Sequence, residues 1–179
     1  MADIQTTLIA NRYELQDQLG EGGMGTVYCA HDRLTGERIA LKRVLTNSAN
    51  LQHNSQGATN DPLVSLAHEF RTLASLRHPN IISVLDYGFS TDNGEAHPYF
   101  SMTLIEHPRT IVEAARDQSQ TAQTQLIIQM LQALAYLHRR GIVHRDLKPG
   151  NVLEKDGQVY VLDFGLAIQG GQQDEATAG

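Results

Sequence analysis

The segment GIVHRDLKPGNVLEKDGQVYVLDFGLA runs from Gly141 to Ala167 and decides how the rest of the chain is read. Its first half crowds His144, Arg145, Asp146, Lys148 and Asn151 together, and its second half returns to an acidic group at Asp163-Phe164-Gly165. Between them, Val152-Leu153 and Val159 to Leu162 flank the turn sequence EKDGQ, which predicts a small hairpin. Upstream, LIIQMLQALAYLHRRG carries Leu126, Ile127, Met130, Leu131, Leu134 and Leu137 at helical spacing. Arg139 and Arg140 suit the last turn of that helix, and Gly141 suits a left-handed closing position.

Working toward the N-terminus, Thr110 to Ala115 reads as a short helix and DQSQTAQTQ has a soft pattern. Two strands, Ile81 to Phe89 and Tyr99 to Leu104, are separated by the polar turn STDNGEAHP. DPLVSLAHEFRTLASLRHPN predicts one long helix, with Asp61 as cap, Pro62 in the first turn and His78-Pro79 as exit. The polar stretch from Thr46 to Asn60 reads as an exposed loop. Tyr13 to Leu19, Thr26 to Ala30 and Arg38 to Val44 read as three antiparallel strands, the last two separated by the turn DRLTG. The expectation is a five-stranded antiparallel sheet with one helix, followed by a mainly helical part. The terminal QGGQQDEATAG reads as mobile.

Composition narrows the class. The 179 residues carry 14 Lys and Arg against 20 Asp and Glu, a formal charge of -6, with 41% apolar residues. This balance argues against a general nucleic-acid backbone binder. A single cysteine, Cys29, excludes an intrachain disulfide framework, and its expected role is that of a small buried hydrophobe. His68, His78, His97, His107 and His138 form no metal-ligand grouping. No segment has the signal-peptide pattern or the roughly 20 apolar residues of a membrane span, so the expected location is cytoplasmic.

LGEGGMGTVY places Gly20, Gly22 and Gly25 between two predicted strands, where missing side chains permit close backbone approach to phosphate. Taken alone, the same spacing fits a plain glycine-rich hairpin. The Gly-Lys-Ser/Thr ending of a Walker A loop is absent, and a strand follows where a dinucleotide site needs a helix. On the next strand, IALKRV flanks Lys42 with apolar residues, and Glu69 sits at the edge of the long helix's apolar stripe. Such a carboxylate can hold a lysine in its charged form, although an ordinary surface or structural role fits each residue in isolation.

In the order GEGGMG, IALK, a helix glutamate, HRDLKPGN and DFG, the chain resembles the protein kinase family, from about Arg12 to Ala167. The DLKPGN wording resembles the serine/threonine branch, and LGEGGMGTVYCAHDRLTGERIALKRV looks like bacterial members of it. The resemblance implies an α+β kinase-like fold: a lead-in at 1–11, a small lobe and hinge at 12–105, and an incomplete large lobe at 106–179. It implies ATP and Mg2+ as partners of the chemistry, and a protein substrate offering a serine or threonine hydroxyl. Phosphoryl transfer requires an in-line hydroxyl, offset phosphate charge and a held metal ion. The matching positions assign Asp146 to the hydroxyl, Lys148 to the transferred phosphoryl group, and Asn151 and Asp163 to magnesium. Lys42 would hold the α and β phosphates, fixed by Glu69.

Supporting roles follow from the same resemblance. His144 becomes a structural residue beneath the Phe164 region rather than a general base, and Phe164 packs in a hydrophobic spine. Arg145 marks a catalytic loop that a phosphorylated activation segment can steady, and Gly165 lets that segment turn. Leu19, Val27, Ala40 and Leu153 match the adenine walls and Met102 the gatekeeper, while the Thr103 carbonyl and Ile105 amide would read the adenine edge. YFSMTLIEHPRTI departs from the common wording here: no acidic residue follows the gatekeeper and no glycines follow the hinge, so no side chain is assigned to the ribose.

The sequence shows no APE-like motif after DFG and no later large-lobe helices, and the missing C-terminal kinase region is itself an expected partner. The apolar stripe of the 126–138 helix is therefore expected to expose hydrophobic surface. Two functional expectations follow. One is an ATP-dependent serine/threonine kinase of which these residues form the first part, inactive as 179 residues alone. The other is a nucleotide-binding or interaction fragment without catalysis. Thr177 is not assigned as a phosphosite.

Overall fold

The structure, a computed structural model, describes residues 7–22, 25–44, 70–71, 73–92, 95–116 and 118–163. A six-stranded antiparallel sheet forms the first part: β1 (Leu8–Ile9), β2 (Tyr13–Gly22), β3 (Gly25–Asp32), β4 (Arg38–Val44), β5 (Val84–Asp92) and β6 (Glu95–Thr103), in the order β1-β2-β3-β4-β6-β5. The five expected strands are all present. A sixth, β1, arises from residues read as a lead-in, where Leu8 pairs with Glu14 and Ile9 with Tyr13. Ala10 and Asn11 at φ 51° and 55° make the tight reversal between them. The β5–β6 hairpin also runs deeper into STDNGEAHP than its polarity suggests, because pairing continues to Asp92 and Glu95.

Alternation along β4 sorts the core from the cleft. Ile39 and Leu41 face a cluster with Ile9, Tyr13, Ala30 and Tyr99, in which the Tyr13 and Tyr99 rings meet edge-on at 5.6 Å. Ala40 and Lys42 face the other way. Arg12 fastens this outer side: Nε and Nη2 donate to Asp32 (2.7 and 2.6 Å), and Nη1 donates to Asp86 (2.6 Å).

The second part holds β7 (Arg109–Thr110), α1 (Ile111–Ala115), α2 (Gln120–His138), β8 (Val152–Lys155) and β9 (Gln158–Val161), with β7, β8 and β9 forming a small sheet. Thr110 and Glu113 make a reciprocal capping box on α1. Ser119 caps α2, so the helix begins within the stretch that lacks sequence periodicity. At the other end of α2, Gly141 takes φ 72°, the left-handed closure expected of it.

Residues 80–82 bind the two parts together. The Val161 amide donates to the Asn80 carbonyl (2.9 Å) and the Ile82 amide to the Val161 carbonyl (3.1 Å). The buried Asn80 side chain donates to Gln129 Oε1 (2.8 Å) and to the Val159 carbonyl (2.9 Å). A shared core continues across the junction, with Phe70, Leu76, Ile82 and Met102 packed with Ala133, Leu137 and Val161. Within α2, Leu126, Ala133 and Leu137 are buried, whereas Ile127 and Leu131 of the predicted stripe are 49% and 52% exposed. Most of the predicted long helix, the 46–60 loop and the terminal segment lie outside the described residues.

Candidate active site

A cavity of about 460 Å³ opens between the sheet and the second part. Its upper wall follows from strand register. Val27 pairs with Lys42 and Ala40 with Met102, so these four side chains share one face of three adjoining strands. Leu19, Gly20, Gly22 and Gly25, from the β2–β3 hairpin, overhang the opening. Among the described glycines of that loop, Gly25 alone needs glycine for backbone reasons: its φ is 133°, and an added Cβ would meet the Arg43 carbonyl oxygen. Nothing lies within 4 Å of a Cβ at Gly20 or Gly22, which leaves their faces open to an approaching ligand.

Thr103 and Ile105 continue the wall beyond β6, and Leu153 from β8 closes it below. The Thr103 amide is tied to the Ser83 carbonyl (3.1 Å), which fixes this turn. The Ile105 amide has no acceptor among the described residues. Apolar walls with a few backbone groups at one end suit a flat heteroaromatic ring.

Charged groups occupy the inner end. Lys42 is 3% exposed, and its Nζ lies 2.6 Å from Asp163 Oδ1. Asp163 has φ 53°, a left-handed conformation that turns its carboxylate into the cavity and costs of order 1–3 kcal/mol. Asp146 accepts from Lys148 Nζ (2.7 Å) and from Asn151 Nδ2 (3.0 Å). The Lys148 hydrogen bond, followed by that from Asn151, holds the Asp146 carboxyl below its usual range against the opposing effect of burial. Asn151 Nδ2 also donates to the Asp146 carbonyl (2.8 Å), which fixes the amide and directs its oxygen away from Asp146.

His144 is buried and bonded through Nε2 to the Leu162 carbonyl (2.9 Å). Burial lowers its pKa, favouring the neutral imidazole. These contacts give it a bracing position between the 144–151 loop and the residue preceding Asp163. Its predicted neighbour Phe164, together with Gly165 and Glu69, lies outside the described residues.

Every other candidate site residue lines this one cavity: Asp146, Lys148, Asn151 and Asp163 at one end, Lys42 beside them, and the apolar set beyond. Sequence reading missed Glu21, Leu104, Pro108, Gly150 and Leu162, which also line it. Gly150 and Leu162 adjoin assigned residues and were legible by proximity alone; Pro108 follows the hinge in the atypical segment and had no such signal.

The donor set fits magnesium. The Asp163 carboxylate and the Asn151 amide oxygen are hard donors on one cavity, and Mg2+ prefers one or two protein oxygens together with phosphates and water. Among the described residues there is no group of three or more His, Cys, Asp or Glu side chains that could hold a metal unaided.

A family model described as protein kinase domain matches residues 13–178. A probable serine/threonine-protein kinase of Streptomyces coelicolor is 38% identical over 164 residues, covering 89% of this chain and 23% of its own length. The probable serine/threonine-protein kinase PknB of Bifidobacterium longum is 34% identical, covering 90% and 24%. The chain therefore spans about a quarter of the length of these curated relatives. Among solved structures, Rad53 in complex with AMP-PNP superimposes with a TM-score of 0.67 at 29% identity, over 86% of this chain and 38% of that one.

Proposed function

From the premise that this chain belongs to the protein kinase family, we propose that it supplies the nucleotide site and catalytic loop of an ATP- and magnesium-dependent serine/threonine protein kinase. The observation that carries the reading is the convergence of Lys42, Asp146, Asn151 and Asp163 on one cavity beneath a glycine-rich overhang. Packing alone requires no such set.

In this reading the adenine lies among Leu19, Val27, Ala40, Met102 and Leu153, and its edge is read by the Thr103 carbonyl and Ile105 amide. Lys42 leaves its contact with Asp163 for the α and β phosphates, with Glu69 as its second support. Asp163 and Asn151 hold magnesium, which when bound offsets phosphate charge. Asp146, kept ionised by Lys148 and Asn151, orients the substrate hydroxyl and receives its proton. Lys148 steadies the transferred phosphoryl group. In domain terms, residues 12–105 form the small lobe and hinge, and 106–179 the opening part of the large lobe.

Transfer by the 179 residues alone is not expected. The half-exposed Ile127 and Leu131 offer apolar surface without the packing that holds a catalytic loop rigid, and positioning contributes much of the rate in this chemistry. The test compares transfer of radiolabelled phosphate from ATP to protein substrates, with and without Mg2+, for this chain and for one extended at its C-terminus. The extended chain should transfer, and its Asp146→Ala and Asp163→Ala variants should not. Tight nucleotide binding without transfer across broad substrates would favour the noncatalytic alternative, and equal transfer by both chains would overturn the claim of inactivity.

A further inference from the structure

The nucleotide reading leaves one part of the ligand without an assigned partner. A base held at Ile105 and Leu153, and phosphates held at Lys42 and Asp163, put the sugar between them at the mouth of the cavity, which Leu19, Pro108 and Gly150 border. Recognition of sugar hydroxyls there would call for a side chain that donates or accepts. Among the described residues, the polar side chains near the mouth are instead turned away and held elsewhere.

Strand register turns two of them outward, because directly paired residues of an antiparallel sheet share a face. Gly20 pairs with Val27 and faces the cavity, whereas Glu21 pairs with Thr26 and points to the other side. There Glu21 Oε2 accepts from Gln18 Nε2 (3.2 Å), which leaves the main chain of Glu21 beside the cavity. Thr103 pairs with Ile39, a member of the outer cluster, so its hydroxyl lies on that side and its carbonyl serves the cleft. The chain past β6 turns away the rest. Glu106 Oε1 accepts from Arg38 Nη1 (2.7 Å). His107 takes φ 50°, and both it and Arg109 border a separate cavity. Arg109 Nε and Nη2 donate to Glu154 Oε2 (3.0 and 2.7 Å), a carboxylate only 3% exposed. Swinging Arg109 to the sugar would strand that buried charge.

Pro108, between His107 and Arg109, is what the chain presents to the cavity, and its ring carries neither donor nor acceptor. The charged groups of the inner end are engaged with one another, Lys42 with Asp163 and Lys148 with Asp146. We propose that Pro108 sets the sugar specificity of the site: base and phosphates hold the nucleotide, the sugar only packs against Pro108 and Leu19, and 2′-deoxyadenosine triphosphate binds as tightly as ATP. A site built to hydrogen-bond a substrate hydroxyl rejects the analogue lacking it, because its own polar groups are then left unpaired. Here the loss of the 2′-hydroxyl strands no side chain.

This inference rests on the nucleotide reading of the cavity, and its test is a calorimetric titration of the full chain with ATP and with 2′-deoxyadenosine triphosphate, both in excess Mg2+. The two dissociation constants should agree within about threefold. Pro108→Asp puts a charged acceptor where the ring now stands and should open a gap of about tenfold in favour of ATP. The readout is the ratio of the two affinities, which a general loss of stability or of phosphate binding would leave unchanged. A wild-type preference for ATP of more than about threefold, or an unchanged ratio in Pro108→Asp, would overturn the inference and leave the nucleotide reading standing. Binding of neither nucleotide to the wild-type chain would overturn both.

Discussion

Lys42 Nζ and Asp163 Oδ1 lie 2.6 Å apart across the cleft, one on β4 and the other just past β9. The pair keeps a buried ammonium compensated, and it sets the two groups where one would meet phosphate and the other metal. Lys42→Met retains the side-chain length but leaves Asp163 without its cation; because that carboxylate keeps 23% of its surface in solvent, the thermal melt should fall only modestly. Transfer by the extended chain should fall about 100-fold or more, the scale of losing a preorganised electrostatic partner. A melt that falls in step with activity would instead mark Lys42 as a folding residue.

The glycine loop should divide by position. Gly25→Ala drives a Cβ into the Arg43 carbonyl oxygen at φ 133°, and should destabilise the sheet by about 1–3 kcal/mol. Gly20→Ala and Gly22→Ala meet nothing within 4 Å and should leave the melt nearly unchanged while weakening nucleotide binding. Denaturant unfolding and nucleotide titration on the three variants separate the two effects.

Acid should loosen the outer face of the sheet. Hydrogen bonds from Arg12 hold the buried Asp32 carboxyl down to about 2 from an ordinary 3.8. Because the folded value is the lower one, the stabilisation is complete above 3.8 and disappears as pH falls through about 2. Its size is about 2 kcal/mol at neutral pH. Asp32→Asn should lose that amount and show a shallower stability change across the same window, measured by urea unfolding at stepped pH.

Asn80 should matter more than its polarity suggests. Asn80→Ala removes both side-chain bonds and strands Gln129 Oε1 and the Val159 carbonyl in part, so a loss of about 1–3 kcal/mol is expected. Hydrogen exchange at the Val161 amide, which donates to the Asn80 carbonyl, should quicken in that variant.

Much of this arrangement was legible because local chemistry dictated it. The apolar run of β4 is buried from Ile39 through Leu41, EKDGQ turns as its glycine permits, and Gly141 closes α2 in the left-handed region. β1 was not legible: two residues carry no period, and their strand exists only through pairing with Tyr13 and Glu14. The α2 stripe was read by hydrophobicity, which chose Ile127 and Leu131 but passed over Ala133; contact with the sheet-side core favours the small residue. In the site, residue types at motif spacing pointed to the charged set, whereas Pro108 and Leu162 enter the lining through chain path.

The mooring of residues 80–82 to β9 gives the cleft a second attachment besides the covalent strand after Thr103. A joint held at two places swings about the line between them and resists shear and twist. Opening and closing over a nucleotide should therefore be a one-axis rocking that carries the glycine overhang across the mouth of the cavity.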